Sequence, residues 1–207
     1  MKKIIFLAIA LCVFAIAGAM PAPANAYSVG VLTDIHAARL NWNYQGAIKN
    51  LPEKDLWISL GDNMDKKVEF CQKVKDAFSG RNFITTIGNH ERPACVSVFG
   101  NGKYFYKDIE NTRIIIVDTS KKKISKSQLA WFKSVINTDK NIVIASHRPL
   151  IKDKKAMAIM KPHASKIQYV FSGHNHKDSG CIIKNKISFC RIKSFLSYRA
   201  TFTFNLK

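Results

Sequence analysis

The chain has 207 residues, with 33 Lys or Arg against 14 Asp or Glu, a formal charge of +19 and 47% hydrophobic residues. That apolar content excludes a disordered polyelectrolyte, and the length suits one domain with a substantial core, uninterrupted by internal repeats or low-complexity linkers. Only seven of the basic residues are Arg and the lysines are scattered, so the charge reads chiefly as a solvated surface that attracts anionic partners at long range, such as phosphate esters, nucleic acid or an anionic envelope surface.

Residues 1–26 read as a secretory leader. Met1-Lys2-Lys3 is basic, an apolar run follows from Ile4 to Met20, and Ala24-Asn25-Ala26 offers a small-x-small cleavage site. The expectation is a single domain over residues 27–207, periplasmic or secreted. Leu11 stands before Cys12 where a lipoprotein signal needs a small residue, and no later stretch is apolar enough over its length to span a bilayer.

Four cysteines remain in a chain bound for an oxidising compartment, and they allow three disulfide pairings, with four free thiols as the alternative. The stretch "CIIKNKISFC" reads as two short strands about Asn185-Lys186, which sets Cys181 opposite Cys190 at a separation a disulfide can close. Cys71 with Cys95 then follows by elimination, tying a helix to the loop after "GNHE". No C-x-x-C spacing supports a thiolate zinc site.

Apolar runs predict strands near 28–33, 55–60, 83–87, 104–107, 112–118, 141–146, 167–172, 181–184, 187–192 and 198–206. Helical spacing falls between several of them. Over 64–78 one stripe carries Met64, Val68, Cys71, Val74 and Phe78, and over 125–137 another carries Leu129, Phe132, Val135 and Ile136, with Ser125 and Gln128 placed as a capping box. A third helix is expected around Trp42 and Tyr44. The segment 92–103 reads as a loop. Strands alternating with helices, then mostly strands, imply a layered α/β fold of mixed sheets, whose ligands collect at the carboxyl ends of strands.

Five of these runs end in polar clusters: "TDIH", "GDNMD", "GNHE", "SHRP" and "SGHNH". Asp and His with an Asn amide oxygen suit Mn, Fe or Zn, and the lack of thiols among them argues against a soft-metal site. One ion would not need so many ligands.

In these blocks the chain resembles the calcineurin-like metallophosphoesterase superfamily, whose signature reads D-x-H, G-D-x-x-D, G-N-H-[DE], a lone H and G-H-x-H. The resemblance spans about residues 29–177 and implies a metallophosphoesterase-type αββα sandwich. It implies one ion held by Asp34, His36, Asp62 and His176, and a second by Asp62, Asn89, His147 and His174. His90 is then the group that protonates the leaving oxygen or binds a phosphoryl oxygen, oriented by Asp65. Arg148 and Arg39 stand beside the first and fourth blocks as phosphate contacts, while His163 matches no block. Asp65 stands where purple acid phosphatases carry Tyr, so a tyrosine-ligated purple iron is not expected. Lys66-Lys67 follow it where Ser/Thr protein phosphatases carry Arg-Gly. The implied activity is hydrolysis of phosphate monoesters or diesters, nucleic acid among the latter, with two metal ions lowering the pKa of a shared water. A non-catalytic metal- or polyanion-binding protein on the same fold is the competing expectation, disfavoured because such a protein needs no His90.

Overall fold

The computed structural model describes residues 26–206 apart from 66, 92 and 101, so the expected leader lies outside the described residues but for Ala26. Ten strands form two sheets. The first sheet orders β10 (Phe202–Asn205), β1 (Ser28–Leu32), β2 (Leu56–Ser59) and β3 (Phe83–Thr85). The second orders β4 (Phe105–Ile109), β5 (Thr112–Val117), β6 (Asn141–Ser146), β7 (Ile167–Ser172), β9 (Ile187–Arg191) and β8 (Gly180–Lys184). Each sheet is mixed. β1, β2 and β3 run parallel, as do β5, β6, β7 and β9, while β10, β4 and β8 are antiparallel edges.

Three separate apolar layers show why the sheets stack. Between them, Val29, Val31, Ile58 and Leu60 face Ile114, Ile116, Val143 and Phe171. On the outer face of the first sheet, Trp57 and Leu32 pack under α1 (Tyr44–Lys49), α2 (Glu69–Ala77) and α3 (Pro93–Phe99). On the outer face of the second, Ile115, Ile142 and Ile144 pack under α4 (Lys126–Val135) and α5 (Lys154–Met160). Successive residues of a central strand thus face two different cores, which is why these strands read as unbroken apolar runs. The αββα sandwich expected from the sequence is the architecture found.

All ten expected strands are present, but the expected helices differ at their ends. α2 starts at Glu69, not residue 64, because Asp62 and Asn63 are held in a non-helical turn by Glu91, described below; Met64 is buried there and Val68 is exposed. Trp42 precedes α1, donating its indole N–H to the Ile35 carbonyl. Ser125 does cap α4 by accepting the Gln128 amide N–H, yet the Gln128 side chain turns away to donate to the Asp118 carbonyl, so the capping box is half formed. The segment expected as a loop at 92–103 contains α3, with Pro93 at its first position and Gly100 closing it at φ +74°. Tyr198 lies in a short α6 (Phe195–Tyr198), and β10 begins only at Phe202.

Both disulfides join the cysteines paired in the sequence reading. Cys181 and Cys190 face one another across β8 and β9 with Cα atoms 4.0 Å apart, and Asn185 and Lys186 both take positive φ in the two-residue turn. Cys71 and Cys95, 5.5 Å apart at Cα, join α2 to α3 rather than to a loop. Two disulfides point to an oxidising environment. Among the described residues no helix is long and apolar enough to cross a membrane.

Candidate metal centre

The carboxyl ends of β1, β2 and β3 meet those of β6 and β7 along one edge of the sandwich, and the loops there are zipped together beyond the strands. Asp34 and His36 donate their backbone N–H groups to the Gly61 and Asp62 carbonyls, and Gly173 donates to the carbonyl of His147. The sheets are also cross-linked at this edge, His147 Nδ1 lying 2.9 Å from the Leu60 carbonyl oxygen and the His174 amide donating to Asp34 Oδ2 at 3.1 Å.

Space at this edge is tight enough to demand glycine. A Cβ on Gly88 would come within 2.1 Å of Asp62 Oδ1, and one on Gly173 within 2.0 Å of Thr33 Oγ1. The backbone is strained as well. Asp34, His36, Asp62 and His174 all sit in the left-handed region, with φ of 54°, 48°, 53° and 67°, a conformation that costs a non-glycine residue about 1–3 kcal/mol and persists only where the surroundings enforce it.

Two groups of side chains converge as a result. The donor atoms of Asp34, His36, Asp62 and His176 all lie within 4.8 Å of one another, as do those of Asp62, His147 and His174. Asp62 belongs to both. In the first group His36 Nε2 and His176 Nε2 are 3.3 Å apart, and His176 Nε2 is 3.0 Å from Asp34 Oδ1. In the second, His147 Nε2 lies 3.2 Å from Asp62 Oδ2 and 3.1 Å from both His174 Nδ1 and Asn89 Oδ1. The seven side chains expected as ligands are therefore brought together around Asp62. Asp34, His36, Asp62 and His147 are buried at the base, whereas Asn89, His174 and His176 keep exposed surface at the rim.

The donor set fits a pair of transition-metal ions. Imidazole nitrogens and carboxylate or amide oxygens dominate and no thiol intrudes. Asp34 Oδ1 is buried with no aligned hydrogen-bond donor. His36 and His147 each turn the far ring nitrogen onto an acceptor, Asp65 Oδ1 at 2.8 Å and the Leu60 carbonyl at 2.9 Å, the arrangement that leaves the inner nitrogen's lone pair free for a metal.

Electrostatics in the metal-free protein follow from this crowding. Burial opposes ionisation of Asp62, but His147 and the His90 N–H groups outweigh it and hold the carboxyl well below the usual range. Burial likewise opposes charge on His147, and Asp62 overcomes it, raising the imidazole above its ordinary value. Burial, helped by His147 and Arg148, pushes His174 down to about 4. His176 is raised, chiefly by its contact with Asp34.

Asp65 holds more than the one partner expected. Its Oδ1 takes the aligned hydrogen bond from His36 and also approaches His90 Nδ1 at 2.7 Å, without the N–H pointing along that line. Its Oδ2 accepts from Arg39 Nε at 2.5 Å. Arg39 thus reaches the site through Asp65. His90 Nε2 faces the ligands, 3.9 Å from Asp62 Oδ2. Arg148 stands at the other end, donating one guanidinium nitrogen to Asn89 Oδ1 at 2.9 Å and placing another on His174 Nε2. His163 lies apart, in a one-turn 3-10 helix.

One residue of the site was missed from sequence. Glu91 retains some exposed surface, but its enclosed carboxylate accepts from the amides of Asp62, Asn63 and Gly88 and from the Asn63 side chain. Burial, with the nearby charge of Asp62, pushes its carboxyl up to about 7. Its place as the last residue of "GNHE" was the available signal.

A family model described as calcineurin-like phosphoesterase matches residues 27–178. No curated protein matches the sequence. Among solved structures, a dimetal phosphatase from Danio rerio superposes with a TM-score of 0.69 at 12% identity, covering 87% of this chain and 93% of that one. A purple acid phosphatase from yellow lupin seeds gives 0.65 at 12% identity, covering 86% and 47%. A 5′-nucleotidase from Candida albicans gives 0.56 at 15% identity, covering 82% and 45%. At these identities the likeness is one of fold.

Proposed function

Because the chain belongs to the calcineurin-like phosphoesterase family, we propose that it is an exported hydrolase of phosphate monoesters or diesters, working with two transition-metal ions drawn from Mn, Fe and Zn. The observation that carries this reading is the convergence on Asp62 of two ligand sets built from both sheets. Asp34, His36, Asp62 and His176 would hold one ion, and Asp62, Asn89, His147 and His174 the other. When bound, such a pair lowers the pKa of water, orients a phosphoryl oxygen and stabilises charge in an in-line displacement.

The chain's own residues supply the remaining steps. His90 presents Nε2 to the reaction zone, 3.9 Å from Asp62 Oδ2, and Nδ1 to Asp65. As the bond from phosphorus to the leaving oxygen breaks, His90 Nε2 is placed to pass a proton to that oxygen. Arg148, fixed at the rim by Asn89 and His174, presents positive charge to a phosphoryl oxygen. Burial opposes charge on Asp65, but His36 and then Arg39 outweigh it and hold the carboxyl below its ordinary value, and Arg39 also keeps it in place. Export is supported by the leader pattern over residues 1–26 and by the two disulfides.

The test is hydrolysis of p-nitrophenyl phosphate and bis(p-nitrophenyl) phosphate by the purified protein, with manganese and with a chelator, beside His90→Ala. Chelator-sensitive turnover that is lost in His90→Ala is the expected result, and the better substrate separates monoester from diester chemistry. Absence of turnover on both, with two ions bound, would instead favour the non-catalytic binding protein.

A further inference from the structure

Next to the second ligand group lies a cleft of about 300 Å³ that the catalytic scheme leaves unused. Arg148 and His174 form its inner wall, so it opens directly from the reaction zone. Lys121 and Lys122, from the segment between β5 and α4, and Lys152, from the one-turn helix after β6, stand around it, while Ile124 and Leu150 supply apolar lining. The two walls are joined where the Arg148 amide donates to Thr119 Oγ1 at 2.7 Å.

The charges in this cleft are unspent. Lys121, Lys122 and Lys152 are exposed and, among the described residues, none of them makes an ion pair or side-chain hydrogen bond. The acid in the lining, Asp153, is occupied as the cap of α5, accepting the amides of Lys155 and Ala156. Across the reaction zone the situation is reversed, because Arg39 is bound to Asp65. Arg39 is thus a paired cation, whereas Lys121, Lys122 and Lys152 have no acidic partner among the described residues.

We propose that this cleft is a subsite for a second phosphoryl group, making the substrate a small organic phosphate that carries two such groups joined by a short organic link. The reacting group sits at the metal centre beside Arg148, the second between Lys121, Lys122 and Lys152, and the link lies on Ile124 and Leu150. Three unpaired lysines around one bounded cleft of about 300 Å³ fit a compact dianionic ligand. The inference rests on the phosphoesterase reading and specifies its substrate class.

The experiment compares two inhibitors of p-nitrophenyl phosphate hydrolysis by the manganese-loaded protein, methylphosphonate and propane-1,3-diphosphonate. The expected result is inhibition by the diphosphonate at a concentration at least about tenfold lower, as two or three charge-assisted contacts would give. Lys121→Ala/Lys122→Ala/Lys152→Ala should erase that ratio without lowering the melting temperature, while Lys184→Ala/Lys186→Ala at the β8–β9 turn should keep it. Equal inhibition of the wild type by both compounds, or a ratio that survives the triple variant, overturns the subsite and leaves the phosphoesterase reading standing. A single-stranded DNA decamer that outcompetes the diphosphonate, and loses that advantage in the triple variant, overturns the small-molecule assignment. Failure of the wild type to turn over p-nitrophenyl phosphate or its diester removes the reading beneath both.

Discussion

The two ligand groups share Asp62 and have four donors each, but differ in what stands behind them. The first contains two carboxylates, Asp34 and Asp62, and has a third, Asp65, on the outer nitrogen of His36. The second has only the shared carboxylate, takes a neutral amide oxygen from Asn89, and has the Arg148 guanidinium against its rim ligands. Equal ligand number therefore does not mean equal hold on a cation. On the proposed assignment, the first position would hold its ion more tightly, and the second would expose its ion to an anionic substrate.

The largest expected effect comes from removing what the two groups share. Asp62→Asn should cost both positions their ion and lower turnover by more than about 10⁴-fold, the upper range of what one acid–base group contributes; elemental analysis that still found two ions per chain would break the comparison at its root. His90→Ala should keep both ions and lose about 10²- to 10⁴-fold in kcat, because in the proposed scheme His90 serves the leaving group and holds neither metal. Of the two ions, Asp65→Asn should weaken the first alone, by about 10- to 100-fold through the outer nitrogen of His36, while turnover falls through both that ion and His90. An equal loss at both positions, read by stepwise chelator titration with metal analysis, would contradict the assignment of Asp65 to one side. The smallest effect belongs to Arg148→Gln, which removes a positive charge beside the second position and should tighten that ion by about tenfold or less. In the same titration the wild type should release its second-position ion first.

Much of this was legible in the sequence because it is local. A ligand block such as "TDIH" or "SGHNH" is a strand end and its turn, and the same few residues that end the apolar run carry the donors. The hairpin disulfide was legible for the same reason, since Asn185-Lys186 sets the register of Cys181 on Cys190. What escaped depends on contacts made across the sheets or between distant loops. Glu91 clamps Asp62 and Asn63, some 28 residues earlier; its place in "GNHE" marks it as part of the site but does not reveal which residues it holds. Asp65, expected beside His90, lies there and also gathers His36 and Arg39. The helix at Pro93–Phe99 is a different case: Pro93 and Gly100 are readable start and stop signals, but the apolar pattern between them is too short to establish a helical period.

The left-handed backbone at Asp34, His36, Asp62 and His174 has a consequence for anyone selecting hardier variants of this protein. Glycine at any of these four positions would relieve the strain and delete a ligand in the same step. A library sorted only for heat resistance in metal-free medium would therefore drift toward inert proteins, and the sort should be run with the ion present, where the ligand repays the conformation it is forced to adopt.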